Sequence, residues 1–295
     1  MESTGDNEKL AIFDRHRSRL FGLAYRMLGT PDEAEEIVQD AYIRWHTTDL
    51  ATVENPEAWL VSTTTRLSID RLRKASRQRE TYIGPWLPEP LMISNTPSPH
   101  EDVELASSLS TAFLLMLERL SPAERAVFLL HDVFDSSYSD IARIMEREEP
   151  AVRQMLHRAR QRVRTDKPRF EADRDEHRRL VERFSKAAYT ADETALLQLF
   201  SPDISVVTDG GGKVTAARKV VQGLQKVMRI FTIAIPPAAG GLTWKLVEIN
   251  GEPGVIEYYN GEPFAANTFA TENGRISTLY RIMNPEKLRL LKETV

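Results

Sequence analysis

The chain has 295 residues, 41% hydrophobic and 28% charged residues and a net charge of −4, so it is long enough for two or more domains and lacks the basic balance of a general nucleic-acid binder. It contains no cysteine, which excludes disulfides, thiolate zinc sites and cysteine nucleophiles. No run approaches the roughly 20 apolar residues of a membrane helix and the polar start is unlike a secretory signal, so we expect a cytoplasmic protein without a membrane partner.

Two helices are predicted at the start of the chain. The first spans about residues 10–28, by its apolar periodicity. The second begins after Thr30, because Thr30, Pro31 and Glu33 match the capping-box pattern with proline at the first helical position. Its apolar face continues to Trp45, and its opposite face is acidic and polar. That outer face meets either water or a partner protein.

A third helix is predicted to begin at Pro56, with Asn55 as its cap, and to end in a basic cluster. The cluster consists of Arg66, Arg71, Arg73, Lys74, Arg77 and Arg79. Trp59 and the threonines at 63–65 stand beside these arginines, a mixture that suits the unstacked bases and phosphates of single-stranded nucleic acid. The alternative is a Trp59 packed in the core beside a solvated basic face.

Residues 84–99 contain five prolines, which disfavour helix and predict a linker. Because Trp86 and Leu87 are apolar, we expect this linker to dock on another part of the molecule. Helices are expected to resume near Asp102.

A helix-turn-helix is predicted over residues 138–164, after a second capping box at Ser121 and Glu124. The inner face of its second helix carries Val152 and Leu156. Its outer face is basic and could reach base edges and phosphates in a major groove, although a solvated basic helix would have the same pattern. Glu146 stands in the turn where glycine is common, because the left-handed backbone is costlier for glutamate.

Beyond about residue 174 the sequence predicts two helices up to Phe200 and then short alternating strands. Asn-Gly pairs at 250–251, 260–261 and 273–274 separate the strands, which indicates an antiparallel meander. The glycines 210–212 after Asp209 predict a tight turn or a close-approach loop.

An enzyme pocket in this part would need a poised acid or histidine. The candidate acids are Asp203, Asp209, Glu248 and Glu257. None of them has a second acid or a histidine at a spacing that would indicate a catalytic pair. We therefore predict no catalytic residue, no metal and no cofactor. Five aromatic residues could line a cavity for an unidentified small ligand, but core packing is the preferred interpretation: Trp244, Tyr258, Tyr259, Phe269 and Tyr280.

Several segments together resemble a known family. Pro56-Glu57-Ala58-Trp59-Leu60, Ile69-Asp70-Arg71-Leu72-Arg73 and Ser121-Pro122-Ala123-Glu124-Arg125 are similar to extracytoplasmic-function (ECF) sigma factors, over about residues 8–165. Thr65-Arg66-Leu67, Glu80-Thr81-Tyr82, Gly84-Pro85-Trp86-Leu87-Pro88-Glu89-Pro90 and Asn284-Pro285-Glu286-Lys287-Leu288 resemble the subgroup with a C-terminal SnoaL-like domain.

This resemblance implies a multidomain protein with two all-α sigma regions followed by an α+β NTF2- or SnoaL-like cone with a curved antiparallel sheet. Its implied boundaries are 1–80 for region 2, 81–101 for the linker, 102–170 for region 4 and 175–295 for the C-terminal domain. The implied partners are core RNA polymerase and promoter DNA, and the C-terminal domain would regulate activity in cis.

The resemblance also assigns site residues to four surfaces. The polymerase-binding surface is Asp32, Glu33, Glu36, Gln39 and Asp40. The surface for the promoter's minus-ten element is Thr47, Thr48, Asn55, Trp59, Thr63, Arg66, Arg71, Arg73 and Lys74. The minus-35 surface is Glu149, Arg153, Gln154, His157, Arg158, Arg160 and Arg164. The regulatory residues are Trp86, Leu87, Pro88, Asp209, Gly210, Gly211, Asn284 and Pro285.

Two other function classes stay open. A ligand-sensing helix-turn-helix repressor would bind duplex DNA without polymerase. A SnoaL-like pocket enzyme with an appended DNA-binding module would turn over a small carbonyl compound. The three helical motifs before the linker favour the sigma-factor hypothesis over both.

Overall fold

The computed structural model describes residues 2–92, 109–164, 174–231 and 241–291. The chain divides into two compact units. Unit 1 contains Met1–Glu80 and Met116–Lys167, and unit 2 contains Thr81–Leu115 and Pro168–Val295. Within the described ranges, no helix has the length and apolar character needed to cross a membrane.

Unit 1 begins with three helices that pack on one another: α1 (Glu2–Leu28), α2 (Pro31–Thr47) and α3 (Pro56–Arg79). The short 3-10 helix Leu50–Thr52 connects α2 to α3. Their apolar faces are fully or almost fully buried, among them Leu20, Tyr25, Ile37, Trp45 and Leu60. The predicted apolar periodicity therefore corresponds to a shared core.

The two predicted capping boxes differ in the structure. The hydroxyl of Thr30 donates to the carboxylate of Glu33 at 2.7 Å and caps no backbone N–H, so the first capping box is wrong in detail. Ser121 and Glu124 form the complete reciprocal box. In the described chain Asn55 also acts as expected, since its Oδ1 accepts from the N–H of Ala58 at 3.0 Å.

Four helices follow: α4 (Thr111–Leu117), α5 (Pro122–Asp132), α6 (Tyr138–Met145) and α7 (Glu149–Arg164). The predicted helix-turn-helix, α6 and α7, is confirmed. The helix expected near Asp102 falls outside the described residues.

Arg125 of α5 joins the two parts of unit 1. Its side chain is only 2% exposed and donates to the carbonyl of Met27 at 2.8 Å and to the carbonyl of Leu117 at 2.9 Å. It also pairs with Glu118 at 2.7 Å, and Arg79 pairs with the same carboxylate. Since a buried guanidinium needs several acceptors, this network fixes α5 against the end of α1.

Unit 2 is a six-stranded sheet with elements packed against both faces. Its elements in chain order are α8 (Arg174–Tyr189), α9 (Glu193–Leu199), β1 (Phe200–Asp209), β2 (Val221–Gln222), α10 (Leu224–Arg229), β3 (Leu242–Ile249), β4 (Glu252–Tyr259), β5 (Glu262–Glu272), β6 (Arg275–Ile282) and α11 (Pro285–Leu288), with a 3-10 turn Arg289–Leu291. The strand order is β2-β1-β6-β5-β4-β3.

The antiparallel meander β3 to β6 is confirmed, and the three Asn-Gly pairs form its turns with Asn250, Asn260 and Asn273 at φ of 54°, 50° and 51°. Register shifts in the β4–β5 and β5–β6 pairs mark bulges, which bend a sheet. The α+β expectation with a curved sheet is thus confirmed. The parallel pairing of β1 with β6 was not predicted.

The two faces of the sheet carry different cores. One face packs against α8 and α10 through residues such as Phe184, Val227 and Phe269. The opposite face packs against Leu87 of the linker and Leu288 of α11. The linker therefore belongs to the core of unit 2, as its apolar residues predicted.

Candidate functional site

The turn between α6 and α7 places the second helix of the helix-turn-helix. Glu146 adopts a left-handed backbone with φ of 52°, and the N–H of Arg147 donates to the carbonyl of Ala142 at 3.0 Å, which closes the end of α6. Ile141 and Val152 are completely buried where the helices meet. Glu146 therefore adopts the left-handed backbone that glycine commonly provides at this position of the motif.

Helix α7 presents the predicted minus-35 surface. Its side chains are exposed at Arg153, Gln154, His157, Arg158 and Arg160, and half-buried at Glu149. Arg164 is the last residue of α7, and its side chain is outside the described part. The guanidinium of Arg153 lies 4.0 Å from the ring centroid of Tyr138 and pairs with Glu149 at 3.3 Å. The structure brings these residues onto one helix surface.

The predicted minus-ten surface lies on α3 and on the loop before it. Trp59 is half-buried and packs 5.4 Å from the buried ring of Trp45, so it serves at least partly as a core anchor. Thr63 is half-buried, whereas Arg66, Arg73 and Lys74 are exposed. The structure further exposes Thr47 and Asn55 and half-buries Thr48.

Arg71, although predicted to bind the minus-ten element, forms ion pairs within unit 1. Its guanidinium pairs with Glu36 at 2.7 Å and with Glu33 at 3.7 Å, both on α2. The hydrogen bond to Glu36 raises the pKa of Arg71 against a smaller opposing effect of burial. Arg71 therefore joins the predicted DNA-binding helix to the predicted polymerase-binding face. On the rest of that face, Asp32, Gln39 and Asp40 are exposed.

Arg66 contacts the helix-turn-helix. Its Nε donates to the carbonyl of Ile144 at 3.1 Å, and its Nη1 pairs with the carboxylate of Glu146 at 3.0 Å. Helix C-termini carry unpaired carbonyls and partial negative charge, which a guanidinium satisfies. A residue predicted to bind DNA thus caps the end of α6.

Asp209 is the centre of a buried polar cluster in unit 2. It is 0% exposed and accepts from the Tyr82 hydroxyl at 2.5 Å, the Leu87 N–H at 2.9 Å and the Lys287 ammonium at 2.7 Å. Burial, followed by the hydrogen bond to Asp209, raises the pKa of Tyr82. One carboxylate at the end of β1 thereby holds the linker and α11 together.

The other residues of the predicted regulatory set lie around this cluster. Asn284 donates to the Tyr82 hydroxyl at 3.0 Å, and its backbone N–H donates to the carbonyl of Asp209 at 2.9 Å. Gly211 has φ of 57°, and a Cβ there would lie 2.4 Å from the Asn284 side chain. Trp86 lies under the ammonium of Lys287, 4.3 Å from ring centroid to Nζ. Pro88 and Gly210 are buried, whereas Pro285 is exposed at the first position of α11.

Tyr82 and Lys287 are absent from the predicted site residues, although both stand in the segments that carried the family resemblance. A buried carboxylate needs a compensating cation and donors, so the prediction of Asp209 could have prompted a search for them. Nothing local to Asp209 in the sequence indicates which lysine or tyrosine reaches it.

A second anchor of the linker lies at the β3–β4 turn. The backbone N–H of Leu91 donates to Oδ1 of the buried Asn250 at 2.8 Å. The backbone N–H of Asn250 donates in return to the carbonyl of Leu91, also at 2.8 Å. Its side-chain Nδ2 donates to the hydroxyl of Thr111 at 3.3 Å. Leu91 of the linker and Thr111, the first residue of α4, are therefore bonded to the same residue.

Two of the acids considered for catalysis form ion pairs with arginines. Glu257 forms a two-pronged ion pair with Arg281 and also accepts from Asn267 at 3.0 Å. Glu248 pairs with Arg174 at 2.6 Å, while Asp203 is exposed on β1. Among the described residues, no group of three or more acids and histidines is arranged to hold a metal ion.

Comparison with known proteins agrees with this architecture. The Sigma-70 region 2 family matches residues 12–78, and the Sigma-70, region 4 family matches residues 110–163. The ECF RNA polymerase sigma factor SigJ of Mycobacterium tuberculosis is 34% identical over 95% of this chain and 93% of its own length. The probable ECF RNA polymerase sigma factor SigI of the same species is 29% identical over 96% of this chain and 95% of its own.

The similarity extends to three dimensions and to the whole length. The crystal structure of M. tuberculosis SigJ matches with a TM-score of 0.75 and 31% identity, covering 95% of this chain and 98% of that one. Both sigma regions and the C-terminal unit are included in that alignment. The chain therefore belongs to the extracytoplasmic-function sigma factors of RNA polymerase and is a transcription initiation factor.

Proposed function

We propose that the acidic outer face of α2 binds core RNA polymerase, that α3 with the preceding loop reads the minus-ten element, and that α7 reads the minus-35 element. The exposed carboxylates of α2 suit a basic partner, and the exposed arginines of α3 and α7 suit phosphates. We further propose that the C-terminal unit restrains these regions in cis.

The first support for restraint is the contact between Arg66 and the end of α6. The names of the two elements place them about 25 base pairs apart, which is roughly 85 Å of B-form DNA. Arg66 of the minus-ten helix lies 3.1 Å from the carbonyl of Ile144 in the minus-35 module. Both elements cannot be read in this arrangement, so binding to a promoter requires the two regions to separate.

The second support is the length of chain available for that separation. About 30 residues connect α3 to the start of region 4, and fully extended they could span roughly 100 Å. While Tyr82 and Leu87 are held at Asp209, and Leu91 and Thr111 at Asn250, this connection cannot extend toward that length. A docked linker therefore opposes the separation that the promoter spacing requires.

The double anchor on Asn250 is the observation that carries this proposal. The sigma factor is restrained while the linker is docked, and polymerase and promoter binding favour its release. Because each hydrogen bond of Asn250 contributes on the order of 1 kcal/mol, this part of the restraint is weak enough for binding energy to overcome.

The test is run-off transcription with core polymerase and the full-length chain on the promoter of its own gene. Asn250→Gly keeps the left-handed turn and removes both side-chain bonds, so we expect transcription to rise about fivefold or more. Asn273→Gly is the matched control, because Asn273 has φ of 51° in an equivalent turn and is exposed.

Equal transcription from the wild type and Asn250→Gly, or a decrease in the variant, would contradict the restraint. Specific duplex binding without any polymerase-dependent transcript would instead favour the repressor hypothesis. A small carbonyl compound turned over by the full chain would favour the pocket enzyme.

A further inference from the structure

Helix α7 is held on both of its flanks by acidic residues of α5. The buried stripe of α7 consists of Val152, Leu156, Ala159 and Val163. At about 100° per residue, Arg160 projects roughly 70° to one side of the stripe and Arg162 roughly 90° to the other. Each of these arginines reaches back to a carboxylate of α5.

Asp132, the last residue of α5, holds the first flank. Its two carboxylate oxygens accept from Arg160, from Nε at 3.0 Å and from Nη2 at 2.5 Å. The side chain of Asp132 is 20% exposed and that of Arg160 is 46% exposed, so the two-pronged geometry distinguishes this pair more than its burial does. His131 accompanies it, with Nδ1 at 2.9 Å from the Asp132 carboxylate and its ring 4.6 Å from that of Tyr138.

Glu124, in the first turn of α5, holds the second flank. Its carboxylate is 6% exposed, accepts from Arg162 and lies 3.6 Å from Arg158. Ser121 donates to the same carboxylate from its hydroxyl at 2.7 Å and from its backbone N–H at 3.1 Å. Although burial opposes ionisation, these hydrogen bonds and the two arginines hold the pKa of Glu124 below its ordinary value.

We propose that Glu124 and Asp132 are positioning residues that fix the rotation of α7 about its own axis, and that Arg160 and Arg162 act through these acids. This inference rests on the proposed role of α7 in reading the minus-35 duplex. A single anchor would leave the helix free to roll over its apolar stripe. Two anchors on opposite flanks, at opposite ends of α5, prevent rolling in either direction.

The size of the effect follows from helix dimensions. Side-chain tips lie about 5 to 6 Å from the axis, so a roll of about 20° moves them by roughly 2 Å. Hydrogen bonds to base edges tolerate only a few tenths of an ångström. The residues left to read bases are Arg153, Gln154 and His157, with Arg153 held over the ring of Tyr138.

The experiment uses full-length chain assembled with core polymerase and a duplex selected by the wild-type complex from a library randomised at the minus-35 element. Binding is measured for Asp132→Asn, Arg160→Ala and the exchange Asp132→Arg with Arg160→Asp, over a salt series. We expect Asp132→Asn to lower the preference for the selected sequence about tenfold. The salt dependence should stay unchanged, and the exchange should restore at least part of the preference.

The sign of the Asp132→Asn effect is decisive. A carboxylate that only stood near DNA would repel phosphates, so its removal would tighten binding. Asp135→Asn provides the matched control: it makes the same charge change in the following turn, where Asp135 is exposed and its φ of 51° is tolerated by asparagine. We expect Asp135→Asn to leave sequence preference unchanged.

Three results would overturn the inference. These are tighter binding by Asp132→Asn, an unchanged preference in that variant, and a salt slope that falls by about 0.9 in Arg160→Ala, which marks a lost phosphate contact. A wild-type complex that selects no minus-35 sequence would contradict the proposed role of α7 itself, which is a separate failure.

Discussion

The contact at Arg66 in unit 1 and the cluster at Asp209 in unit 2 differ chiefly in burial. The side chains of Arg66 and Glu146 are 48% and 75% exposed, whereas those of Lys287 and Asp209 are 8% and 0% exposed. Exposed ion pairs contribute about 0 to 1 kcal/mol and are screened by salt. Removing one partner of a buried pair costs about 3 to 5 kcal/mol.

This difference indicates a division of roles. The exposed contact between α3 and the helix-turn-helix is easily broken and easily re-formed. The buried cluster fixes the start of the linker to the C-terminal unit and should persist through that exchange. Under the proposed restraint, regulation acts on contacts that carry no buried charge, such as the hydrogen bonds of Asn250 to Leu91 and Thr111.

The largest expected effect comes from breaking the buried cluster. Asp209→Asn leaves the ammonium of Lys287 buried without its counter-ion, so we expect the free energy of unfolding to fall by about 3 to 5 kcal/mol. Chemical denaturation of the full-length chain measures this. Glu286→Gln is the control, because Glu286 and Lys213 form an exposed pair at 3.0 Å and should contribute less than about 1 kcal/mol.

A second prediction concerns the pH dependence of the stability of unit 2, which contains Asn250. Burial raises the pKa of Glu252 to about 8, so between about pH 4.5 and 8 the folded state keeps a proton that the unfolded state has lost. The contribution of Glu252 to stability is therefore greatest below its unfolded pKa and is lost as pH rises through 8.

Glu252→Gln should remove this slope. We expect the variant to exceed the wild type by about 1 to 3 kcal/mol above pH 8, and to match it near pH 4. Thermal denaturation across that range measures the difference. Parallel pH curves for the two proteins would show that Glu252 ionises freely in the folded state.

The smallest expected effect comes from the exposed contact. Glu146→Gly removes the ion pair with Arg66 and relieves the left-handed strain of about 1 kcal/mol, so transcription should rise by about two- to threefold. Glu146→Gln loses the charge but keeps the strain, which separates the two causes. Glu146→Gln should converge on the wild type as salt increases; a difference that persists in high salt would argue against an electrostatic contact.

The sequence predicted what depends on local patterns. Apolar periodicity located α1 to α3 and the helix-turn-helix, and the Asn-Gly pairs located the turns of the meander, because both signals act over a few residues. The family resemblance added the order of the regions. It is confirmed by the matches to both sigma-region families and to SigJ.

The sequence did not predict contacts between residues that are far apart along the chain. Nothing in β1 indicates that it pairs in parallel with β6, about 70 residues later, since strand pairing depends on tertiary contacts. The occupation of Arg71 by Glu33 and Glu36, and of Arg66 by α6, likewise depends on how separate helices meet. The roles in polymerase and DNA binding stay predictions for all the site residues.

Asn250 has a consequence for sequence change at this turn. A residue at this position needs three properties: it must tolerate a left-handed backbone, accept a hydrogen bond from the N–H of Leu91 and donate one to the hydroxyl of Thr111. Glycine offers only the first and aspartate lacks the donor, so asparagine alone satisfies all three. Asn250→Asp, which needs one base change, would tolerate the left-handed turn and lose only the donor to Thr111. Under the proposed restraint, this turn is a place where regulation can evolve without loss of the fold.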